Sequence, residues 1–210
     1  MKKLRQVLFV FSLISGMYSQ MASSNISLDR TKGDIDYDRL EDAVKQRPEF
    51  FHWDGRDSYR VRFENGNYYF LASSTMLSPS VKPVLHGYPR GRGWCEFDFF
   101  DQNYRYVNGI RVNIQDHSDT NVCNWIKGVS AVTYKGQSAL LTTVQYHRGI
   151  DPAKTVAEIG SNYHDFTALL VLTSQPDGSL SIRQDDSCLG PANQIGELAV
   201  ARRRITECNQ

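Results

Sequence analysis

Four turn signals cut this chain into strand-sized pieces, and no other feature limits its fold as tightly. Asn65-Gly66, Asn108-Gly109, Lys135-Gly136 and Gln175-Pro176-Asp177-Gly178 each sit between runs of β-branched and aromatic residues. Such turns return the chain antiparallel, because glycine and asparagine tolerate the positive φ that a tight hairpin demands. The predicted hairpins join 59–63 to 68–71, 104–107 to 110–114, 129–134 to 138–146, and 166–173 to 179–183. In the first, pairing Phe63 with Tyr68 sets Tyr59, Val61, Phe63, Tyr68 and Phe70 on one face. From Trp94 onward, Cys95, Phe97 and Phe99 share a face and Glu96 and Asp98 the opposite one.

Helical signals are fewer. Asp36 is placed to cap a short helix through Leu40, Ala43 and Val44, stopped by Pro48. Asp151-Pro152 opens a short middle helix, with proline at the first helical position. At the C-terminus Ile195, Leu198, Ala201, Ile205 and Cys208 recur at near-heptad spacing, predicting an amphipathic helix over 191–207 with Arg203 and Arg204 toward water. Gly196 weakens it by about 1 kcal/mol relative to alanine. Residues 76–92, with Pro79, Pro83 and Pro89, read as a long loop. Hairpins dominate without βαβ alternation, so the expected class is α+β, a mainly antiparallel sheet with N-terminal, middle and C-terminal helices.

The first 24 residues read as a cleaved signal peptide. Lys2, Lys3 and Arg5 precede an apolar run from Val7 to Ile14, and Ala22-Ser23-Ser24 offers small residues at the cut. The apolar run is shorter than the roughly 20 residues a spanning helix needs, so no transmembrane segment is expected after cleavage. Residues 25–34 then form a flexible mature N-terminus, and 35–210 one domain. The leader holds three of the 24 Lys+Arg and none of the Asp+Glu, which leaves 21 against 23 and a net charge of −2. That balance gives no reason to expect nucleic acid as partner. The expected location is periplasmic or extracellular.

Export sets the chemistry of the four cysteines, since an even number in an oxidising compartment implies disulfides. A helix over 191–207 would be about 24 Å long, and three extended residues from Cys188 reach back only about 10 Å. Bridged Cα atoms lie within about 7 Å. The helix length therefore argues against joining Cys188 to Cys208, and the favoured pairing is Cys95–Cys208 with Cys123–Cys188. Intervals of 28, 65 and 20 residues contain no short C-x₂₋₄-C pair for zinc, so no metal is expected.

Catalytic signatures are scarce. The histidines are His52, His86, His117, His147 and His164; no H-E-x-x-H, G-x-S-x-G, P-loop or dinucleotide turn occurs. No cofactor is expected. Asp116-His117-Ser118-Asp119 lacks the glycine and glutamate of a calcium loop and reads as solvated turn chemistry. Gln184-Asp185-Asp186, with Glu96 and Asp98, reads as solvated strand ends. Tyr88, Arg90, Arg92 and Trp94 interleave aromatic and arginine side chains on the long loop, the composition of interface hot spots. The expected function is an exported, non-enzymatic binding or inhibitory protein, with an immunity protein against an envelope-acting toxin as one form. Its partner would be another protein, with a glycan as second candidate. The rival reading is a secreted hydrolase whose Asp, Glu and His groups meet only in the fold.

Overall fold

The computed structural model describes residues 26–30, 35–46, 50–77, 93–114, 121–148 and 163–210. Among the described residues nine strands form two antiparallel meanders. The first sheet runs β1 (Ile26–Asp29), β2 (Phe50–Phe63), β3 (Tyr68–Leu77), β4 (Gly93–Phe100) and β5 (Tyr106–Arg111), in chain order. The second runs β6 (Val122–Tyr134), β7 (Gln137–His147), β8 (Tyr163–Ser174) and β9 (Leu180–Gln184). Two helices are described, α1 (Tyr37–Lys45) and α2 (Leu198–Cys208). The predicted middle helix, the 25-residue N-terminal stretch and most of the proline-rich loop lie outside the described residues.

The sheets meet face to face over one apolar core. Val61, Leu71, Phe97 and Phe99 come from the first, and Leu140, Val144, Phe166 and Leu170 from the second. Each outer face carries a helix. Leu40 and Val44 of α1 pack on Phe70, Ala72 and Phe100 of the first sheet. Ala201 and Ile205 of α2 pack on Tyr134, Ala139, Leu141, Leu169 and Val171 of the second. Along one side Asn108 Nδ2 donates to Leu180 O at 2.8 Å, and Gln184 bonds the backbone of Asn113 at both ends of its amide. These bonds stitch β5 and the residues just after it to β9.

The turns explain where pattern and structure part. At 63–67, Gly66 N–H donates to Phe63 O at 3.0 Å and Phe63 N–H to Asn67 O at 2.8 Å, with Gly66 at φ 87°. Glu64 and Asn65 are therefore the central pair, and Gly66 is the left-handed residue that follows them. The register becomes Arg62 opposite Tyr68. A one-residue slip sends side chains to the opposite face, so Tyr69 and Leu71 join Tyr59, Val61 and Phe63 inside, while Tyr68 and Phe70 face α1. The same turn recurs at 175–179 and at 101–105, where Tyr104 takes the left-handed position at φ 62°. Tyr104 stacks on Phe70 with centroids 4.5 Å apart and accepts a bond from Asp36 N–H at 2.8 Å. Of the four turns read from the sequence, only Lys135-Gly136, at φ 49° and 72°, is a two-residue turn.

The second expected hairpin is corrected accordingly. Asn108-Gly109 lies inside β5, with Gly109 opposite Asp98. A Cβ there would overlap the Asp98 carboxylate, so this glycine permits close approach and makes no turn.

The disulfides are also corrected. Cys95 bridges Cys123, and Cys188 bridges Cys208, with Cα separations of 5.5 and 6.1 Å. The expected helix was too long. Residues 191–197 are irregular, with Ala192 at φ 50°, and α2 spans 11 residues, about 16 Å. The nine residues from 189 to 197 then carry the chain back far enough for its last cysteine to meet Cys188. The first bridge joins β4 to β6 within the core, and the second closes α2 onto the segment after β9. Two disulfides are compatible with an oxidising, exported environment.

Candidate functional site

Each outer face has a part its helix leaves uncovered, and the two parts differ in chemistry. On the first sheet, Trp94, Glu96 and Asp98 alternate along β4 beside Arg111 of β5. Trp94 Nε1–H donates to Glu96 Oε2 at 2.8 Å, Arg111 Nε–H reaches the same oxygen at 3.3 Å, and the guanidinium lies 3.9 Å over the Trp94 ring. Glu96 is 4% exposed and Asp98 fully buried, which corrects the expectation of solvated carboxylates. Asp186 is corrected with them. Its Oδ1 accepts from Leu169 N–H at 2.8 Å and its Oδ2 from Gln184, and burial raises its pKa above the usual value. Asp185 alone stays partly solvated, held to about 2 by bonds from Ser187 and Arg183.

Trp94 thus does meet an arginine, but that arginine is Arg111 from the neighbouring strand. Tyr88, Arg90 and Arg92 lie outside the described residues, as do His86 and Asp116 to Asp119.

On the second sheet the open part lies beyond the N-terminus of α2. β6, β7 and β8 present Trp125, Gln145 and Asp165 in one cross-strand row, and His147 pairs with Tyr163 in the next. Trp125 and Tyr163 are 44% and 43% exposed, the most exposed large hydrophobic side chains besides Tyr106 among the described residues. β7 separates the two strands that carry them, and Tyr163 lies one row beyond Trp125. The His147 ring leans on Tyr163 at 4.2 Å between centroids. Its Nδ1 is buried without a hydrogen bond, and desolvation lowers its pKa, which keeps the imidazole neutral near pH 7. Asn124 Nδ2 donates to Gln145 Oε1 at 3.1 Å and so orients that amide. Lys127 Nζ lies 2.8 Å from Asp165 Oδ2, while Asp165 Oδ1 is buried with no hydrogen bond.

A cleft of about 710 Å³ opens beside this row, between α2 and the 189–197 segment. Lys127 and Asp165 form one end, and Gln194, Glu197 and Arg204 line the rest with apolar Ile195. Two devices shape it. Asn193 bonds both the N–H and the C=O of Thr167, which pins the segment to the edge of β8 beyond the end of β9. Gly196 then passes so close to Asp165 that any Cβ would meet the carboxylate.

Alternation did not mark this surface. Irregularities between Cys123 and Trp125 and between Ile126 and Gly128 break the two-residue period of β6. The usable signal was in β8, whose polar start at Tyr163-His164-Asp165 precedes the apolar run 168–172.

Among the described residues no group of three His, Cys, Asp or Glu side chains converges as metal ligands, and no helix is long and apolar enough to cross a membrane. Searches found no matching family model, curated protein or solved structure.

Proposed function

We propose that the chain is a non-enzymatic binding or inhibitory protein of an exported compartment, and that it takes its partner on the open end of the second sheet. The observation that carries this reading is the pair of exposed rings, Trp125 and Tyr163, flanking oriented polar groups on a rigid three-strand platform. Tryptophan and tyrosine dominate binding surfaces because they present large contact area at low entropic cost. Neutralisation of an envelope-acting toxin is the inhibitory form of this reading. The test is capture from envelope extract by immobilised wild-type protein and by Trp125→Ala/Tyr163→Ala. A specific partner retained by the first and lost by the second supports the face; equal retention by both sinks it.

A hydrolase remains the second reading, because Glu96 and Asp98 lie buried two positions apart on one strand face. Retaining and inverting glycosidases both use a carboxylate pair. Against this role, Glu96 Oε2 already accepts from Trp94 and Arg111, which suits a structural anchor.

A further inference from the structure

We infer that the Cys188–Cys208 bridge is a redox lock on the cleft: a dithiol reductant opens it, an oxidant closes it, and the Cys95–Cys123 bridge stays intact throughout. The lock concerns the walls of the cleft and holds whatever partner the neighbouring face takes.

The two bridges sit in opposite surroundings. Cys95 and Cys123 are 1% and 3% exposed within the core, so a reductant meets their bridge only after the sheets separate. Cys208 is exposed at the last residue of α2, and Cys188 is half-buried. Exchange requires a thiolate to reach sulfur, and exposed bridges are the labile ones. One bridge is therefore open to exchange in the folded protein, and the other is not.

The exposed bridge also bounds the cleft. Apart from Lys127 and Asp165, every lining residue lies between Cys188 and Cys208 in the chain. One wall, residues 189–196, has anchors of its own. Leu189 and Ile195 are buried, and Asn193 bonds both backbone groups of Thr167. The other wall, α2, is held more weakly. It buries Ala201 and Ile205, lacks a side-chain cap, and at 11 residues is shorter than helices that persist alone. Arg202 reaches Ser130, and Asn209 bonds Thr133 O and Lys135 N–H at exposed positions where water competes. Cutting the bridge releases the last turn of α2 while the opposite wall stays pinned.

The exchange balances in two steps. A thiolate of the dithiol attacks Cys208 Sγ and forms a mixed disulfide, as the bond to Cys188 breaks and Cys188 leaves as a thiolate. The second thiol of the reductant then displaces Cys208 and closes the reductant's own disulfide. Two electrons and two protons pass from the dithiol to the cysteines. Cys188 Sγ lies 3.2 Å from Arg204 O, an acceptor for the new S–H.

The test exposes the folded full chain to dithiothreitol without denaturant. Free thiols are trapped with iodoacetamide and mapped by mass spectrometry, and backbone amide exchange is followed in parallel. Cys188 and Cys208 should be labelled at least about tenfold faster than Cys95 and Cys123. Amides of 198–205 should then exchange at least about tenfold faster, with those of β4 and β7 unchanged. Oxidation with glutathione disulfide should restore the slow exchange. Cys188→Ser/Cys208→Ser should match the reduced protein and ignore the reductant. The lock is overturned by equal labelling of the two pairs, or by no labelling at Cys188 and Cys208. It is equally overturned if their reduction leaves α2 exchange unchanged, if oxidation fails to restore it, or if the double variant exchanges slowly.

Discussion

The two outer faces began from the same design, a helix laid over part of an antiparallel sheet, and ended with opposite treatments of the remainder. On the first sheet Glu96 and Asp98 are buried, and Glu96 is held by Trp94 and Arg111. On the second it leaves Trp125 and Tyr163 to solvent, near a cleft that Lys127 and Asp165 line at one end. A buried carboxylate held by a tryptophan and an arginine serves the fold, whereas exposed aromatic side chains are available to a partner. The helices differ in the same sense. α1 has a side-chain cap, Asp36 accepting from Arg39 N–H at 3.1 Å, while α2 has none and is tied at its last residue by the Cys188–Cys208 disulfide.

That contrast can be broken at its strongest point first. Cys188→Ser/Cys208→Ser should cost about 3 kcal/mol in denaturant unfolding, as expected for a loop of this size, and should loosen the cleft. A loss below about 1 kcal/mol would show that packing alone holds α2. On the closed face, Gly109→Ala should cost about 2 kcal/mol, because a methyl group cannot share space with the buried Asp98 carboxylate. Unchanged stability would mean that the carboxylate moves freely. Asp36→Ala should cost about 1 kcal/mol through loss of the α1 cap, read as a lower denaturation midpoint with an unchanged slope.

A pH effect sharpens the open face. The His147 pKa is lowered by burial, so the unfolded chain binds the proton more readily than the folded one. Stability from this group is present above the ordinary value of 6.5 and is lost as pH falls through the depressed folded value. His147→Gln should therefore lose less stability than wild type between about pH 7 and about pH 5; equal losses would exclude His147 as a source of acid sensitivity. The smallest stability effect is expected at Trp125→Ala, within about 0.5 kcal/mol of wild type. A larger loss would mean that the ring packs as part of the fold.

Much of the first sheet was legible in the sequence. The alternation of Cys95, Phe97 and Phe99 reported the core face of β4, and Asp36 with Leu40 and Val44 reported α1. The open face was not, since Trp125, Gln145, Asp165, His147 and Tyr163 come from three strands. Their proximity depends on strand register, and on irregularities in β6 that no periodic pattern records. Trp94 was found as a residue but not with its partner, because Arg111 reaches it only across a strand pair.

The sequence by itself determined an antiparallel, hairpin-built chain with an apolar core, because alternation and turn chemistry are local properties. Tertiary structure decided which glycine turns and which one yields room to a carboxylate. It also decided which cysteines meet, since shortening one helix by a few residues changes what the chain can reach. Above all it decided which polar groups are buried and which face solvent: exposure belongs to the packing of sheets and helices against each other, and no single stretch of chain contains it.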